Sequence, residues 1–235
     1  MLVIAHRGAS GLAPENTMES FRVAYEADAD MLELDIRLTK DRVPVVIHDP
    51  RLLRTHHDRA AVNSLTLKEL RSRTCDSPVP TLEEVLEEFY GKIILNIEIK
   101  SRGAGIVAAK LLKRKFIKRP MEWDNVLFSS FKARELAAIR KFSKRANLAF
   151  LHNHNSYLFI AYHRSLKLTA VGFHRLYINK LSLEIAKKMG LFTYSYTVNR
   201  PHTALLLDRQ GIDGVVTNYP DRVLKEINRL GEKSQ

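Results

Sequence analysis

The chain predicts a (β/α)8 TIM barrel with a small insertion after the second strand. Three observations carry that expectation. From residue 95 onward, apolar strand-like segments alternate with amphipathic helical segments through short connections, the cadence of a parallel sheet covered by helices. Nine strand segments can be counted, those carrying His6, Asp35, His48, Glu98, Ser129, His152, Phe173, Val198 and Thr217. The segment carrying His48 follows its predecessor too closely to be parallel, which leaves eight, the count of a closed barrel. The third observation is that no glycine-rich phosphate loop follows the first strand, which argues against an open doubly wound sheet.

Each element has its own justification. Val3-Ile4-Ala5-His6 is a short apolar run ending at Arg7-Gly8, and Leu32-Glu33-Leu34-Asp35-Ile36 alternates strictly. Strand side chains alternate faces with period two, so Glu33 and Asp35 share one face and Leu32, Leu34 and Ile36 the other. Asn96, Glu98 and Lys100 likewise oppose Leu95, Ile97 and Ile99. Thr39-Lys40-Asp41-Arg42 reads as a turn, so 43–48 runs antiparallel to 33–38. A turn centred on Asp41 sets His48 opposite Leu34, between Glu33 and Asp35, whereas a slip of one residue would turn it to the other face. Residues 52–81 are polar and irregular, with a short helix signal at Thr66-Leu-Lys-Glu69, and read as an excursion of about 50–80 within one 1–235 domain. Thr81 is the expected N-cap of a helix with acids in its first turn. Strands then follow at 125–129, 148–152, 170–173, 192–198 and 214–217. Helices are expected at 133–142, 156–164, 181–189, 203–209 and 221–230, with a frayed tail at 231–235.

Composition narrows the function classes. The chain is 45% hydrophobic and 27% charged, ordinary for a globular protein with a full core. A single cysteine, Cys75, excludes an internal disulfide framework and fits a reducing, cytoplasmic setting. The apolar start Leu2–Ala5 is shorter than a signal-peptide core, and no stretch approaches ~20 apolar residues. Charge is uneven: residues 1–100 carry 13 Lys and Arg against 17 Asp and Glu, and residues 101–235 carry 25 against 9. The densest cationic run, Lys110–Arg119, reads as a solvated helix face with Leu111, Leu112, Phe116 and Ile117 turned inward. Its alternative use is weak contact with an anionic membrane surface. Nucleic acid is not an expected partner, because no recognition motif or aromatic interleaving accompanies the charge.

The candidate site comes from the inward-facing polar set. In a (β/α)8 barrel the active site lies at the C-terminal ends of the strands, where His6, Glu33, Asp35 and Glu98 fall. Three hard oxygen ligands could hold one divalent cation, Mg2+ or Ca2+. Alternatively, these acids could form buried salt bridges with Arg7, Arg37 and Lys100. His6 and His48 suit a general acid and base, Arg7 offers a planar fork matched to phosphate, and Lys100 adds a point charge. Phosphoryl chemistry fits this set, with cations offsetting charge on the phosphoryl oxygens. The remaining histidines, His152 and His154 among them, read as surface or loop residues, and His174 ends a strand.

An ordered set of motifs then resembles the glycerophosphodiester phosphodiesterase family. The set is His6-Arg7-Gly8, Pro14-Glu15-Asn16-Thr17, Glu33-Leu-Asp35, Thr39-Lys-Asp41, Val45-Val-Ile-His48-Asp49, Pro80-Thr-Leu-Glu-Glu-Val85 and Asn96-Ile-Glu98-Ile-Lys100. Ser129-Ser130-Phe131, Thr197-Val198-Asn199 and Asp213-Gly-Val-Val-Thr217 extend it over essentially the whole chain. The resemblance implies hydrolysis of glycerophosphocholine- or glycerophosphoethanolamine-type diesters to glycerol 3-phosphate and an alcohol. It implies His6 and His48 as the acid–base pair, Arg7 and Lys100 at the phosphate, and Glu33, Asp35 and Glu98 on the metal. Glu15 and Asn16 would order the first loop. Four positions depart from the family pattern. Asp28 and Arg42 stand where glycine is common, Tyr196 replaces a frequent tryptophan at the pocket wall, and Asn218 replaces a common aspartate.

Other readings share these residues. Lysophospholipids would need an apolar track above the mouth, for which Leu52, Leu53 and Leu65 are the candidates. A phosphoinositide-specific lyase shares the two-histidine logic but not the three carboxylates. A catalytically silent basic barrel used as a binding module would show salt-sensitive retention without turnover.

Overall fold

A computed structural model describes residues 1–152 and 154–232. Eight parallel strands close into a barrel: β1 (Leu2–His6), β2 (Met31–Leu38), β4 (Ile94–Ile99), β5 (Val126–Ser130), β6 (Asn147–His152), β7 (Ala170–His174), β8 (Phe192–Tyr196) and β9 (Gly214–Thr217). β1 pairs with both β2 and β9, which is the closure. The ninth strand, β3 (Pro44–Val46), pairs antiparallel on the far end of β2 with Ile36 opposite Val46. Carried forward, that register sets His48 opposite Leu34, as the turn centred on Asp41 predicts. The ladder is shorter than expected, because it stops at Val46 and His48 lies just beyond it.

Outer helices follow the strands: α1 (Met18–Glu26), α4 (Leu82–Phe89), α5 (Ala104–Lys115), α6 (Ala133–Phe142), α7 (Leu158–Leu166), α8 (Lys180–Lys188), α9 (Pro201–Arg209) and α10 (Pro220–Glu232). α7 begins two residues later than the sequence suggests. α10 runs on through Gly231, and the expected fraying otherwise concerns residues 233–235, which lie outside the described residues. No helix among the described residues is long and apolar enough to cross a membrane.

Between β3 and α4 the chain passes through two short helices, α2 (Leu53–His56) and α3 (Leu67–Arg73). Both α3 and α4 begin with a reciprocal cap. The Thr81 hydroxyl accepts from the Glu84 amide, and the Glu84 carboxylate accepts from the Thr81 amide at 2.8 Å. Thr66 and Glu69 repeat the arrangement, which satisfies amides that a helix start leaves unpaired.

Three apolar clusters divide the interior. The largest lies between barrel and helices and holds Leu32, Leu34, Ile36, Leu95, Ile97 and Ile99. A second fills the barrel itself with Ile4, Met31, Leu127, Leu151, Tyr194 and Val216. A third belongs to the excursion, where Val45 and Ile47 pack on Leu52, Val62, Leu65, Leu70 and Val79. Leu52 and Leu65 are thus buried, so they offer no track to an acyl chain, and of that trio only Leu53 is exposed. The basic run after Lys110 descends α5, away from the strands' C-terminal ends, with Leu111, Leu112 and Ile117 buried.

Asp28 and Arg42, the two departures from glycine, take φ of 59° and 63°, so both positions use the left-handed region. Inside the barrel Gly172 is level with Leu151 and Tyr194, and a Cβ there would stand 2.5 Å from the Leu151 side chain and 2.9 Å from the Tyr194 ring. Gly172→Ala should therefore lower stability by about 1–3 kcal/mol through overpacking. In a thermal melt that corresponds to a fall of several degrees.

Candidate active site

Register places the polar residues. His6 is level with Glu33, Glu33 with Asn96, and Asp35 with Glu98 across the adjacent strands β1, β2 and β4. Met31 belongs to the barrel interior while Leu32 and Leu34 face the helices, so Glu33 and Asp35 project inward as period two requires. Glu33, Asp35 and Glu98 each offer a carboxylate oxygen within 4.8 Å of the others. Glu33 and Glu98 border a cavity of about 220 Å³ that opens at the C-terminal end of the barrel. His6, Arg7, Glu33, His48, Glu98, Lys100 and Tyr196 line it, with Asp35 buried beneath. All eight residues singled out from sequence therefore meet at one place.

Two cations hold the acids. The Arg7 Nε lies 3.2 Å from Asp35, and Lys100 Nζ lies 3.2 Å from Asp35 and 2.5 Å from Glu98. Burial opposes charge on Asp35, but Lys100 and Arg7 outweigh it and hold this carboxyl below its usual range. Glu33 and Glu98 fare differently. Burial, with the charges of neighbouring carboxylates, pushes Glu33 well up and Glu98 to about 7. Arg37, offered as a further ion-pair partner, instead donates its Nε–H to the His48 carbonyl at 2.7 Å.

Two ionic partners therefore leave the cluster under-neutralised. The Glu33 Oε1 and the neighbouring Asn96 Oδ1 have no hydrogen-bond partner among the described residues. Hard, crowded oxygen donors with orphaned lone pairs fit a divalent cation.

The histidines are held differently. His6 Nδ1 lies 2.6 Å from the Asn218 amide oxygen, so Nδ1 carries the proton and Nε2 is left as acceptor. Burial, then Arg7, pulls the His6 pKa down to about 4. His48 Nδ1 lies 2.7 Å from the Asp49 carboxylate, which favours its protonated form, although burial still lowers its pKa. Asp49 also accepts from Arg54 at 2.6 Å, Arg54 reaches Glu15 at 2.5 Å, and Glu15 accepts from Arg7 at 2.9 Å. One ionic chain thus joins the loop after β1 to the loop after β3.

Other residues complete the site. Asn16 donates to Asp35 at 2.9 Å and accepts from the Asp35 amide at 3.2 Å, so it orders the first loop against the acid cluster. The Tyr196 hydroxyl donates to the His152 carbonyl at 2.7 Å, and its ring meets Phe131 edge to face at 6.0 Å. Tyr196 therefore presents ring, not hydroxyl, to the cavity. His152 departs from the expectation of a surface or loop residue. It is 3% exposed at the end of β6, turned outward under the helix layer against Phe173, because inward positions on that strand belong to Ala149 and Leu151. Asn218 drew notice in sequence only as a departure, and its reach to His6 across 212 residues leaves no local signal.

Comparisons with known proteins agree on one family. The glycerophosphoryl diester phosphodiesterase family matches residues 6–222. A glycerophosphodiester phosphodiesterase of Caldanaerobacter subterraneus subsp. tengcongensis is 34% identical over 98% of this chain and 99% of its own length. Another, of Bacillus subtilis, is 31% identical over 94% of this chain and 84% of its own. Among solved structures, the Thermotoga maritima glycerophosphodiester phosphodiesterase superposes with a TM-score of 0.83 at 30% identity, covering 96% of this chain and 97% of that one. An Oleispira antarctica phosphodiesterase in complex with the product sn-glycerol-3-phosphate gives 0.85 at 26% identity, covering 97% of each. With its barrel closed and its site residues assembled, the chain belongs to the glycerophosphoryl diester phosphodiesterase family.

Proposed function

We propose that this chain is a glycerophosphodiester phosphodiesterase. It hydrolyses diesters of the glycerophosphocholine and glycerophosphoethanolamine type to sn-glycerol 3-phosphate and the free alcohol. The observation that carries this reading is the flanking of one buried three-carboxylate cluster by two histidines and two phosphate-matched cations. The relatives named glycerophosphodiester phosphodiesterases, and the product bound to the Oleispira antarctica structure, point the same way. Glu33, Asp35 and Glu98 would hold one divalent cation, Mg2+ or Ca2+. When bound, it supplies charge stabilisation at the phosphoryl oxygens.

The protein's own groups do the rest. Arg7 and Lys100 sit where a phosphodiester would rest and offset charge on its non-bridging oxygens. His6, held neutral with Nε2 unprotonated, takes the proton from the attacking hydroxyl. His48, with Asp49 stabilising its imidazolium, gives a proton to the departing alcohol oxygen as the P–O bond breaks. The attacking hydroxyl is that of the substrate glycerol, through a cyclic phosphate, or of water, and both suit this arrangement. The excursion over residues 50–80 acts within a single catalytic unit as the support of the His48 loop. A free, exposed Cys75 fits work in the reducing cytoplasm. Lysophospholipids are the weaker reading, because Leu52 and Leu65 are buried.

Three experiments test this. Release of glycerol 3-phosphate from glycerophosphocholine should occur with Mg2+ or Ca2+ and cease with EDTA, and His6→Ala should lower turnover ~10²-fold or more. Full turnover in EDTA would sink the metal reading, and none from folded, metal-loaded protein would move the weight to lysophospholipids. The second concerns pH. Burial and crowding raise the pKa of both Glu33 and Glu98, the latter to about 7, and a cation binds only the deprotonated carboxylates, so affinity must rise with pH up to at least that value. Titration calorimetry should report at least about a tenfold gain in metal affinity per pH unit over that limb. The third is Asn218→Ala, which removes the acceptor of His6 Nδ1. It should reduce kcat by about tenfold with KM little changed, and Asn218→Asp should restore most of the loss.

A further inference from the structure

The mouth of the barrel has two unlike halves. On the side of the excursion, three arginines are matched by acids, Arg54 by Glu15 and Asp49, Arg73 by Asp58 and Arg71 by Glu84, while Arg51 and Arg59 have no carboxylate within 4.0 Å among the described residues. On the side formed by the loops after β5, β6, β7 and β8 the pattern differs. Leu176 is 69% and Leu181 57% exposed, with Tyr157, Leu158 and Tyr177 nearby at close to two-fifths each. These side chains belong to one surface. Tyr177 stacks against His174 and His154 at 5.3 and 5.0 Å, and the Tyr157 hydroxyl donates to Asn179 at 3.0 Å. Around them stand Lys132, Arg134, Arg175, Lys180 and Arg200, all exposed. These loops carry no Asp or Glu before Glu135, Glu184 and Asp208, which stand on α6, α8 and α9. Among the described residues only Arg134 has a carboxylate within 4.0 Å, that of the buried Glu135 at 3.8 Å.

Exposed leucine and tyrosine side chains within a ring of unmatched cations have the chemistry of an interfacial surface. The apolar groups reach the boundary between head groups and acyl chains, and Arg and Lys meet the lipid phosphates. We propose that these β5–β8 loops dock the barrel mouth on an anionic phospholipid bilayer. The connecting loops of this half present exposed cations and no acid of their own. The basic run of α5 takes no part, since it descends toward the opposite end of the barrel. Docking sets the catalytic cavity beside the source of its substrate class, because glycerophosphodiesters arise when membrane diacyl lipids lose both acyl chains. The biological point rests on the phosphodiesterase reading, but the binding does not.

Co-sedimentation with vesicles of phosphatidylcholine, with and without phosphatidylglycerol, tests the proposal without any turnover. The intact protein should bind the anionic vesicles, leave neutral ones in solution, and weaken as salt shortens the Debye length. Leu176→Ser with Leu181→Ser, and separately Arg175→Ala with Lys180→Ala, should each lower partitioning about tenfold. Hydrolysis of soluble glycerophosphocholine should stay unchanged in both, which certifies their folding. Lys113→Ala with Arg114→Ala on α5 should bind like the parent. Absence of binding by the parent, equal binding to neutral vesicles, or loss confined to the α5 variant would each overturn the proposal. So would a parent dimer that dissociates in Leu176→Ser with Leu181→Ser, since the face would then be covered by a second copy.

Discussion

Like-charge crowding inside the barrel is the constraint from which the site follows. Three carboxylates on two adjacent strands share a space in which each raises the cost of ionising the others, and burial adds to that cost. Asp35 stays ionised because Arg7 and Lys100 both reach it, while Glu33 and Glu98 are only partly compensated. On the reading proposed above, a bound divalent cation would complete the neutralisation, so the crowding of the cluster would create its affinity for metal.

Fixing Arg7 fixes much else. Its backbone amide donates to Glu33 at 2.9 Å, its guanidinium touches Asp35 and Glu15, and Glu15 is the first link toward Arg54, Asp49 and His48. His48 also depends on packing. Val45 and Ile47 anchor its strand in the small apolar cluster of the excursion, which is separate from both barrel clusters. The excursion thus has a structural reason: without its own core, the loop carrying His48 would keep only the hairpin's backbone hydrogen bonds, the Arg37 contact to its carbonyl and its ion pairs, and exposed ion pairs are weak.

Catalytic and structural demands are separated along the barrel axis. Ile4, Met31, Leu127 and Ala170 fill the lower interior, and Gly172 leaves the room that the Tyr194 ring needs. Above that layer the inward positions turn polar. The mouth is then divided sideways, into an ion-paired half under the excursion and an apolar, cationic half over β5 to β8. The uneven charge visible in the composition has two local concentrations, the run along α5 and this half of the mouth, with the remainder spread over the other helices and their ends.

Most of the barrel and the core of the site were legible in the sequence, for a physical reason. Period-two alternation in short strands states which face each side chain takes, so Glu33, Asp35 and Glu98 could be placed together before any coordinates. The hairpin between Leu38 and Pro44 is short enough to narrow His48 to two registers, and the structure adopts the one centred on Asp41. What the sequence could not state was contact between distant segments. Asn218 meets His6, Arg54 joins Glu15 to Asp49, and Leu52 and Leu65 turn inward, each through closure of the barrel or collapse of the excursion. His152 was misjudged because a histidine ending a strand has two faces to choose from, and only the neighbouring helix layer decides. Local periodicity by itself determined the fold and the inward carboxylates. Tertiary structure alone decided how His6 is held and how the neighbour of His48, Asp49, is itself anchored, because Asn218 and Arg54 lie on other segments and meet them only when the ring of strands closes and the excursion collapses.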